Sequence, residues 1–236
     1  MKPFRLLECV VTRDNRELTL YQRGGDFHIH VDGLDLMSSR SHGSEEEMAR
    51  MALEALDGRP GPRFLVGGLG MGYTLRATLD ALTERGGKAA DVVVAEAFPA
   101  VVAWNRGPLE HLARRPLADP RVRVVVGDVG ERIAEAADGP DRPGGAEAYD
   151  VILLDVDNGP EAFTLEENRR LYSERGLDRI HRALTPGGVL AVWSAHDHPP
   201  FLQRLRKAGF QARTRPLRAR SCGKGERHVI FLAVQK

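Results

Sequence analysis

The segment Arg63-Phe64-Leu65-Val66-Gly67-Gly68-Leu69-Gly70-Met71-Gly72-Tyr73-Thr74-Leu75-Arg76 constrains the fold more than any other stretch of the chain. A short apolar run feeds a turn carrying Gly68, Gly70 and Gly72, and a helix-competent segment follows at once. Glycines allow positive φ and let the atoms of another molecule approach bare backbone. The helix that follows presents unpaired N–H groups at its start. An ordinary tight turn has the same composition, so the meaning of the glycines depends on their company downstream.

That company is a repeating pattern. Strands are predicted at 63–67, 91–96, 121–126, 149–155 and 188–194, with helices over 73–85, 98–113, 129–137 and 166–184. Most of these strands are nearly continuous apolar runs, the mark of parallel strands covered by helices on both faces. The last helix should stop at Thr185-Pro186-Gly187-Gly188. After a helix near 199–208 come two strands, Phe210–Ala219 and Arg227–Gln235, joined by a loop and therefore antiparallel. The expectation is an α/β, Rossmann-like, mostly parallel seven-stranded sheet with a C-terminal antiparallel hairpin.

The first part of the chain reads differently. Leu18 and Leu20, then Phe27, Ile29 and Val31, alternate on either side of Arg23-Gly24-Gly25-Asp26, which predicts a β-hairpin. Cys9-Val10-Val11-Thr12 can add a strand before it. Ser44 followed by Glu47 predicts a capped helix start, with Met48, Met51, Ala52 and Leu56 on its apolar side. That helix should end near Asp57-Gly58, and Arg59-Pro60-Gly61-Pro62 reads as a linker. Residues 1–58 are thus expected to form a small β-hairpin domain with a lead-in helix, and residues 59–236 a nucleoside-binding Rossmann-like domain.

Composition removes several classes of function. The net charge of +1 gives no general attraction to nucleic acid or anionic membrane, so neither is expected as a partner. No apolar run approaches the roughly 20 residues that span a bilayer, and Met1-Lys2-Pro3-Phe4-Arg5 lacks the apolar core of a signal peptide. Cys9 and Cys222 lie far apart and outside any ligand spacing. A cytoplasmic, reduced protein is the expectation.

In an open α/β sheet, ligands bind beyond the carboxyl ends of the strands. There the sequence places carboxylates: Glu96 closes the second predicted strand, Gly127-Asp128 follows the third, and Asp155 closes the fourth. A carboxylate in the Glu96 position can accept hydrogen bonds from both ribose hydroxyls. The plain alternative for Asp128 is a helix N-cap. The alternation Gly68-x-Gly70-x-Gly72 differs from the G-x-G-x-x-G spacing of dinucleotide sites, and with the terminal hairpin it favours a methionine-derived nucleoside over NAD. Such a ligand has a sulfonium and no phosphate, so it needs carboxylates and backbone contacts rather than basic residues.

Taken together, these motifs resemble the spermidine synthase family of aminopropyltransferases, on the class I adenosyl-methionine-dependent methyltransferase fold. The resemblance rests on Asp32-Gly33, Arg40 and Glu47-Met48; on the glycine motif ending in Leu75-Arg76; and on Glu96, Gly127-Asp128 and Tyr149–Asp155. It implies that Gly68, Gly70, Gly72, Glu96 and Asp128 bind the nucleoside and that Asp155 and Asp157 serve catalysis, with no metal. It implies a co-substrate, decarboxylated S-adenosyl-methionine or S-adenosyl-methionine, a small-molecule amine acceptor, a place in polyamine biosynthesis and a homodimer. A methyltransferase, or a non-catalytic nucleoside-binding protein, are the alternatives.

The chain also departs from the family. Asp-x-x-Asp-Pro becomes Asp155-Val156-Asp157-Asn158-Gly159-Pro160, a Tyr-His pair becomes Glu45-Glu46, and Met71 and Leu36 stand where Asp and Gln are usual. The nucleoside half is retained and the amine half rewritten, with Asp155, Asp157 and Glu161 as carboxylates for an amine. His196-Asp197-His198, followed by Pro199-Pro200, matches no metal pattern. The basic run Arg213, Arg215, Arg218, Arg220, Lys224 and Arg227 fits an edge strand kept from pairing, and Cys222 lacks an evident base that would make it a nucleophile.

Overall fold

The computed structural model describes residues 3–12, 15–40, 42–87, 89–139, 148–156, 159–160, 166–218 and 227–236. Asp157, Asn158, Glu161, Arg220, Cys222 and Lys224 lie outside the described residues.

The chain begins as an antiparallel meander of β1 (Arg5–Val11), β2 (Glu17–Arg23), β3 (Asp26–Val31) and β4 (Leu34–Ser38), in that spatial order. Gly24-Gly25 closes the predicted hairpin. β4 was not expected from the alternation of apolar residues, yet its signal is Asp32-Gly33. Both residues have positive φ (51° and 78°), as a two-residue mirror-type hairpin turn requires. Leu18, Leu20, Phe27, Ile29 and Val31 are buried on one face of this sheet.

Helix α1 (Gly43–Ala55) corrects one expectation. Its N-cap is His42 and no side chain caps it, so Ser44 and Glu47 form no capping box. Ser44 sits inside the first turn, fully buried, and its hydroxyl is taken by Glu45, His228 and Trp193. Glu47 pairs with Arg50 instead (2.8 Å). A buried hydroxyl must find partners where it lies, and here tertiary partners win over the local cap.

The second sheet has seven strands: β5 (Arg63–Gly67), β6 (Asp91–Glu96), β7 (Val122–Val126), β8 (Tyr149–Leu154), β9 (Leu184–Ser194), β10 (Phe210–Arg218) and β11 (Arg227–Gln235). Their order is β10-β11-β9-β8-β5-β6-β7, with β5 to β9 parallel and β11 antiparallel to both β9 and β10. Strand direction of growth reverses beside β5, so the switch point lies between β5 and β8.

Among the described residues six further α-helices follow: α2 (Tyr73–Glu84), α3 (Pro99–Asn105), α4 (Val129–Asp138), α5 (Glu166–Leu171), α6 (Glu174–Ala183) and α7 (Pro199–Lys207). The helix predicted over 98–113 ends at Asn105, and Arg114 and Arg115 are both left-handed. The one predicted over 166–184 is split at Tyr172-Ser173, where the Ser173 hydroxyl accepts from the Gly176 N–H (3.1 Å) and caps α6. α6 ends at Ala183, just before Thr185-Pro186-Gly187-Gly188 as expected, and that stretch itself lies within β9, where the pairing jumps from Tyr149↔Leu184 to Val151↔Val189.

Both faces of this sheet are apolar, and alternate residues feed two cores. Phe64, Val66, Val92, Val94, Val151 and Leu153 join the cluster shared with the N-terminal sheet, α1 and α2. Leu65, Val93, Ala95, Ile152 and Leu154 join the cluster under α4, α6 and α7. At the other end of the strands, buried Asp150 accepts from the Arg63 N–H (2.8 Å) and Thr185 Oγ1 (2.8 Å) and pairs with Arg59, tying the linker to the sheet. No described helix is long and apolar enough to cross a membrane.

Candidate active site

Sheet register alone collects the predicted residues. Gly67 is level with Ala95 on one side and Leu154 on the other, and Glu96 is level with Val126. Gly68, Glu96, Gly127-Asp128 and Asp155 therefore all follow the carboxyl ends of adjacent parallel strands. Three hydrogen bonds lock this edge: Gly68 N–H to Ala95 O, Asp155 N–H to Gly67 O and Gly127 N–H to Glu96 O, each 2.9 Å.

Glu96 is buried, and burial pushes its carboxyl up while backbone N–H groups hold it down. It accepts from the Leu69 N–H (2.8 Å) and the Phe98 N–H (2.9 Å). The carboxylate thus braces the glycine turn from below, and one oxygen lies on each side of that brace. Asp128 is the N-cap of α4 and accepts from the Glu131 N–H (3.0 Å). The plain role considered for it is therefore present.

The glycines hold the turn in shape more directly than the sequence suggested. Gly68, Gly70 and Gly72 all have positive φ (88°, 50° and 82°). A Cβ on Gly68 would lie 2.3 Å from the Asp155 carbonyl oxygen. On Gly70 it would meet the Met37 sulfur at 2.8 Å, and on Gly72 Pro116 and Asn105 at 3.0 and 3.1 Å. The bare backbone is approached by the chain's own atoms, with Met37 of β4 lying over Gly70.

Asp155 accepts from Thr74 Oγ1 at 2.6 Å, a bond between the end of β8 and the first turn of α2. Burial raises its carboxyl to about 6, against the Thr74 bond that lowers it. Facing it electrostatically is a residue to which the sequence reading gave no role, Glu45 of α1. Glu45 is only 5% exposed, and burial, followed by the charge of Asp155, raises its carboxyl to about 8. A signal for it existed: Glu45 stands three, four and seven residues before Met48, Ala49 and Ala52, on the buried stripe of the helix. Tyr73, raised to about 12 by burial and by Glu45, completes this corner, with His42 stacked on its ring (centroids 4.1 Å apart).

Two buried carboxyls with raised values have a measurable consequence for the protein without ligand. Folded carboxyls that hold protons more tightly than unfolded ones favour the native state at low pH. That contribution is complete below about pH 4, declines as pH passes the folded values near 6 and 8, and is absent above them. The melting temperature should fall by roughly 4–8 °C between pH 5 and 8.5, for a change of roughly 2 kcal/mol. Calorimetry on the wild type and Glu45→Gln checks this, since the variant should show a clearly shallower decline.

Elsewhere, His28, His30 and Asp35 form the one cluster of metal-capable side chains among the described residues. It lies on the face of the N-terminal sheet opposite Phe27, Ile29 and Val31, with His28 Nδ1 3.3 Å from Asp35 Oδ2. Among the described residues His196-Asp197-His198 is part of no such cluster.

Comparison with known proteins bears on the fold and the relatives of the chain. No family model matches the chain. A polyamine aminopropyltransferase of Mycobacterium tuberculosis is 26% identical over 202 residues, 83% of this chain and 35% of the relative. Polyamine aminopropyltransferase 2 of Streptomyces coelicolor is 31% identical over 194 residues, 79% of this chain and 32% of the relative. The chain is a divergent relative of the spermidine synthase family. It spans about a third of the length of the curated relatives it matches. The fold likeness extends further: the crystal structure of spermidine synthase from Thermotoga maritima superposes with a TM-score of 0.70 at 17% identity, covering 98% of this chain and 73% of that one. Human methyltransferase-like protein 13, solved with SAH, superposes with a TM-score of 0.54 at 21% identity, covering 81% and 79%. The seven-stranded sheet is thus the Rossmann-like fold that aminopropyltransferases and methyltransferases share.

Proposed function

We propose that the chain is a transferase that moves an aminopropyl group from decarboxylated S-adenosyl-methionine to an amine. The observation that carries this is the convergence of Glu96 and Asp155 on a glycine turn at the switch point, in a chain whose sequence relatives are aminopropyltransferases. The residues suit an adenosyl sulfonium donor. Among the described residues no Arg or Lys pairs with Glu96 or Asp155, so the edge offers carboxylates and backbone groups to a ligand that is cationic and lacks phosphate. Glu96 would take the ribose hydroxyls, with Gly68, Gly70 and Gly72 beside it and Asp128 at the base. The donor supplies a carbon made electrophilic by its positively charged sulfur.

The residues of the chain then do the rest. Asp155 orients the attacking amine by accepting from its N–H. The nitrogen lone pair forms the C–N bond as the C–S bond breaks, the electron pair leaves with sulfur as a neutral thioether, and the new ammonium releases a proton to solvent. Asp155 stabilises the charge gained by nitrogen and, near 6, remains too weak a base to take that proton fully from an amine near ~10. Asp157 is proposed as a second carboxylate for the amine. Residues 59–236 would form the nucleoside-binding catalytic domain behind the small β domain of residues 1–58, in a homodimer acting on a small amine of polyamine metabolism.

Incubation with each donor and a panel of amines, read by mass spectrometry, tests the proposal. Aminopropylated amine supports it; methylated product assigns the alternative methyltransferase; no product with either donor overturns it. Glu96→Ala should weaken binding of methylthioadenosine, the thioether left by the reaction, by about 10–100-fold, from loss of charge-assisted hydrogen bonds. Titration calorimetry measures this, and an unchanged affinity would remove Glu96 from the nucleoside site.

A further inference from the structure

We infer that His28, His30 and Asp35 bind one divalent transition-metal ion of the zinc type, and that the ion clips the edge strand β4 to β3. None of the residues at the strand-end edge takes part, so the site stands or falls apart from the transferase reading.

The strands bring these three groups together by simple rules. His28 and His30 are two apart on β3, and strand alternation puts both imidazoles on the face opposite Phe27, Ile29 and Val31. Asp35 reaches that face from β4 through a bulge, because Leu36 is an extra residue between the pairs Ile29↔Met37 and His30↔Asp35. Asp35 therefore stands with His30, while Met37 stands with Ile29 on the inner face, over Gly70. Phe4 packs edge to face on His28 and Tyr21 lies against His30, each with ring centroids 5.0 Å apart. These rings steady the two imidazoles and leave His28 only 8% exposed.

The spacing suits one small ion. His28 Nδ1 is 3.3 Å from Asp35 Oδ2, and His30 Nε2 is 3.9 Å from Asp35 Oδ1. One ligand atom from each residue lies within 4.8 Å of the other two. Bonds of about 2.0–2.1 Å at tetrahedral angles need ligand atoms about 3.3–3.4 Å apart, and small side-chain rotations close the difference. Hydrogen bonding alone accounts for only part of the cluster. At 3.9 Å His30 Nε2 is too far from Asp35 to bond it, and this buried nitrogen has no hydrogen-bond partner among the described residues. Leaving it so is costly, and a metal ion supplies the missing partner. Two imidazoles and a carboxylate suit Zn²⁺ and its first-row neighbours, whereas Mg²⁺ and Ca²⁺ take oxygen ligands. The Asp35 side chain is half exposed, so an ion can enter from solvent and keep a water in its fourth position.

Equilibrium dialysis of the chelator-treated full chain against Zn²⁺ near neutral pH tests the site, with Mg²⁺ and Ca²⁺ as separate probes and Co²⁺ as a coloured substitute. One Zn²⁺ per chain is expected, no Mg²⁺ or Ca²⁺, and the intense visible bands of four-coordinate Co²⁺. A hundredfold excess of Zn²⁺ over its Kd should raise the melting temperature by about 5–10 °C. His30→Gln and Asp35→Asn should each weaken Zn²⁺ binding by about 100-fold or more and abolish the thermal shift, since losing even a hydrogen-bond partner of a metal ligand costs roughly 10–100-fold. Asp35→Asn changes a half-exposed side chain, so without metal it should melt close to metal-free wild type, which separates lost binding from misfolding. Cys9→Ser, and His196→Asn with His198→Asn, remove other metal-capable groups and should leave the affinity within about twofold. A wild type that takes up no Zn²⁺, or takes up Mg²⁺ equally well, overturns the site. So does Zn²⁺ affinity that survives in His30→Gln and Asp35→Asn, or is lost in the cysteine or His196 and His198 variants. Binding with no rise in melting temperature overturns the clip.

Discussion

Asp155→Asn is expected to lower aminopropyl turnover by about 10²–10³-fold while leaving nucleoside affinity nearly unchanged. The substitution keeps the shape of the side chain, and Thr74 Oγ1, now 2.6 Å from Oδ2, can donate to the amide oxygen instead. What disappears is the negative charge beside the nitrogen at the moment it becomes an ammonium. In a buried setting that charge is worth several kcal/mol more than it would be in water. Glu45 loses its repulsive neighbour in the same step, so the variant should melt above the wild type near pH 8, a gain in stability joined to a loss of rate. Single-turnover kinetics with denaturation alongside separates this from misfolding. Equal turnover in the two proteins would take Asp155 out of the mechanism. The wild-type rate should also lose its acid limb as pH rises through about 6, the value to which burial lifts this carboxyl.

Why Asp155 was plain in the sequence and Glu45 left only the faint signal of its helix position is a matter of range. A carboxylate at the end of an apolar strand is a local signal, and parallel pairing turns it into a shared edge whatever the loops do. The strands of the large sheet, the two-strand tail and the Glu96–Asp128–Asp155 set were legible for that reason. Glu45 gains its meaning from Ser44, Trp193 and His228, the last of these 184 residues from Ser44 in the chain. The same long reach undid the capping-box expectation, because the hydroxyl that looked like a cap was needed elsewhere. Boundaries failed where chain geometry decided them: the break at Tyr172-Ser173 depends on a cap three residues long, and β9 runs through a Pro-Gly-Gly stretch because β8 is there to pair with it.

Gly68→Ala should destabilise the protein by about 3–5 kcal/mol, a large share of the roughly 5–15 kcal/mol that holds a domain folded. Two costs combine. Alanine at φ 88° pays roughly 1–3 kcal/mol for a left-handed backbone, and the added methyl would stand 2.3 Å from the Asp155 carbonyl oxygen, overpacking worth about 1–3 kcal/mol. Relief by movement is blocked on both sides. Gly68 N–H is bonded to Ala95 O and Asp155 N–H to Gly67 O, so separating the turn from β8 breaks the ladder of either β6 or β8. The nearest comparison is Gly70→Ala, where the clash is with the tip of Met37, a flexible thioether that can swing aside, so the cost should be smaller. Gly25→Ala, with no atom within 4 Å of its Cβ, should change stability by less than about 1 kcal/mol. Urea denaturation of the three variants gives the order directly. If Gly68→Ala proved as mild as Gly25→Ala, the close passage of the glycine turn against Asp155 would be wrong, and with it the placement of that carboxylate at the mouth of the proposed nucleoside site.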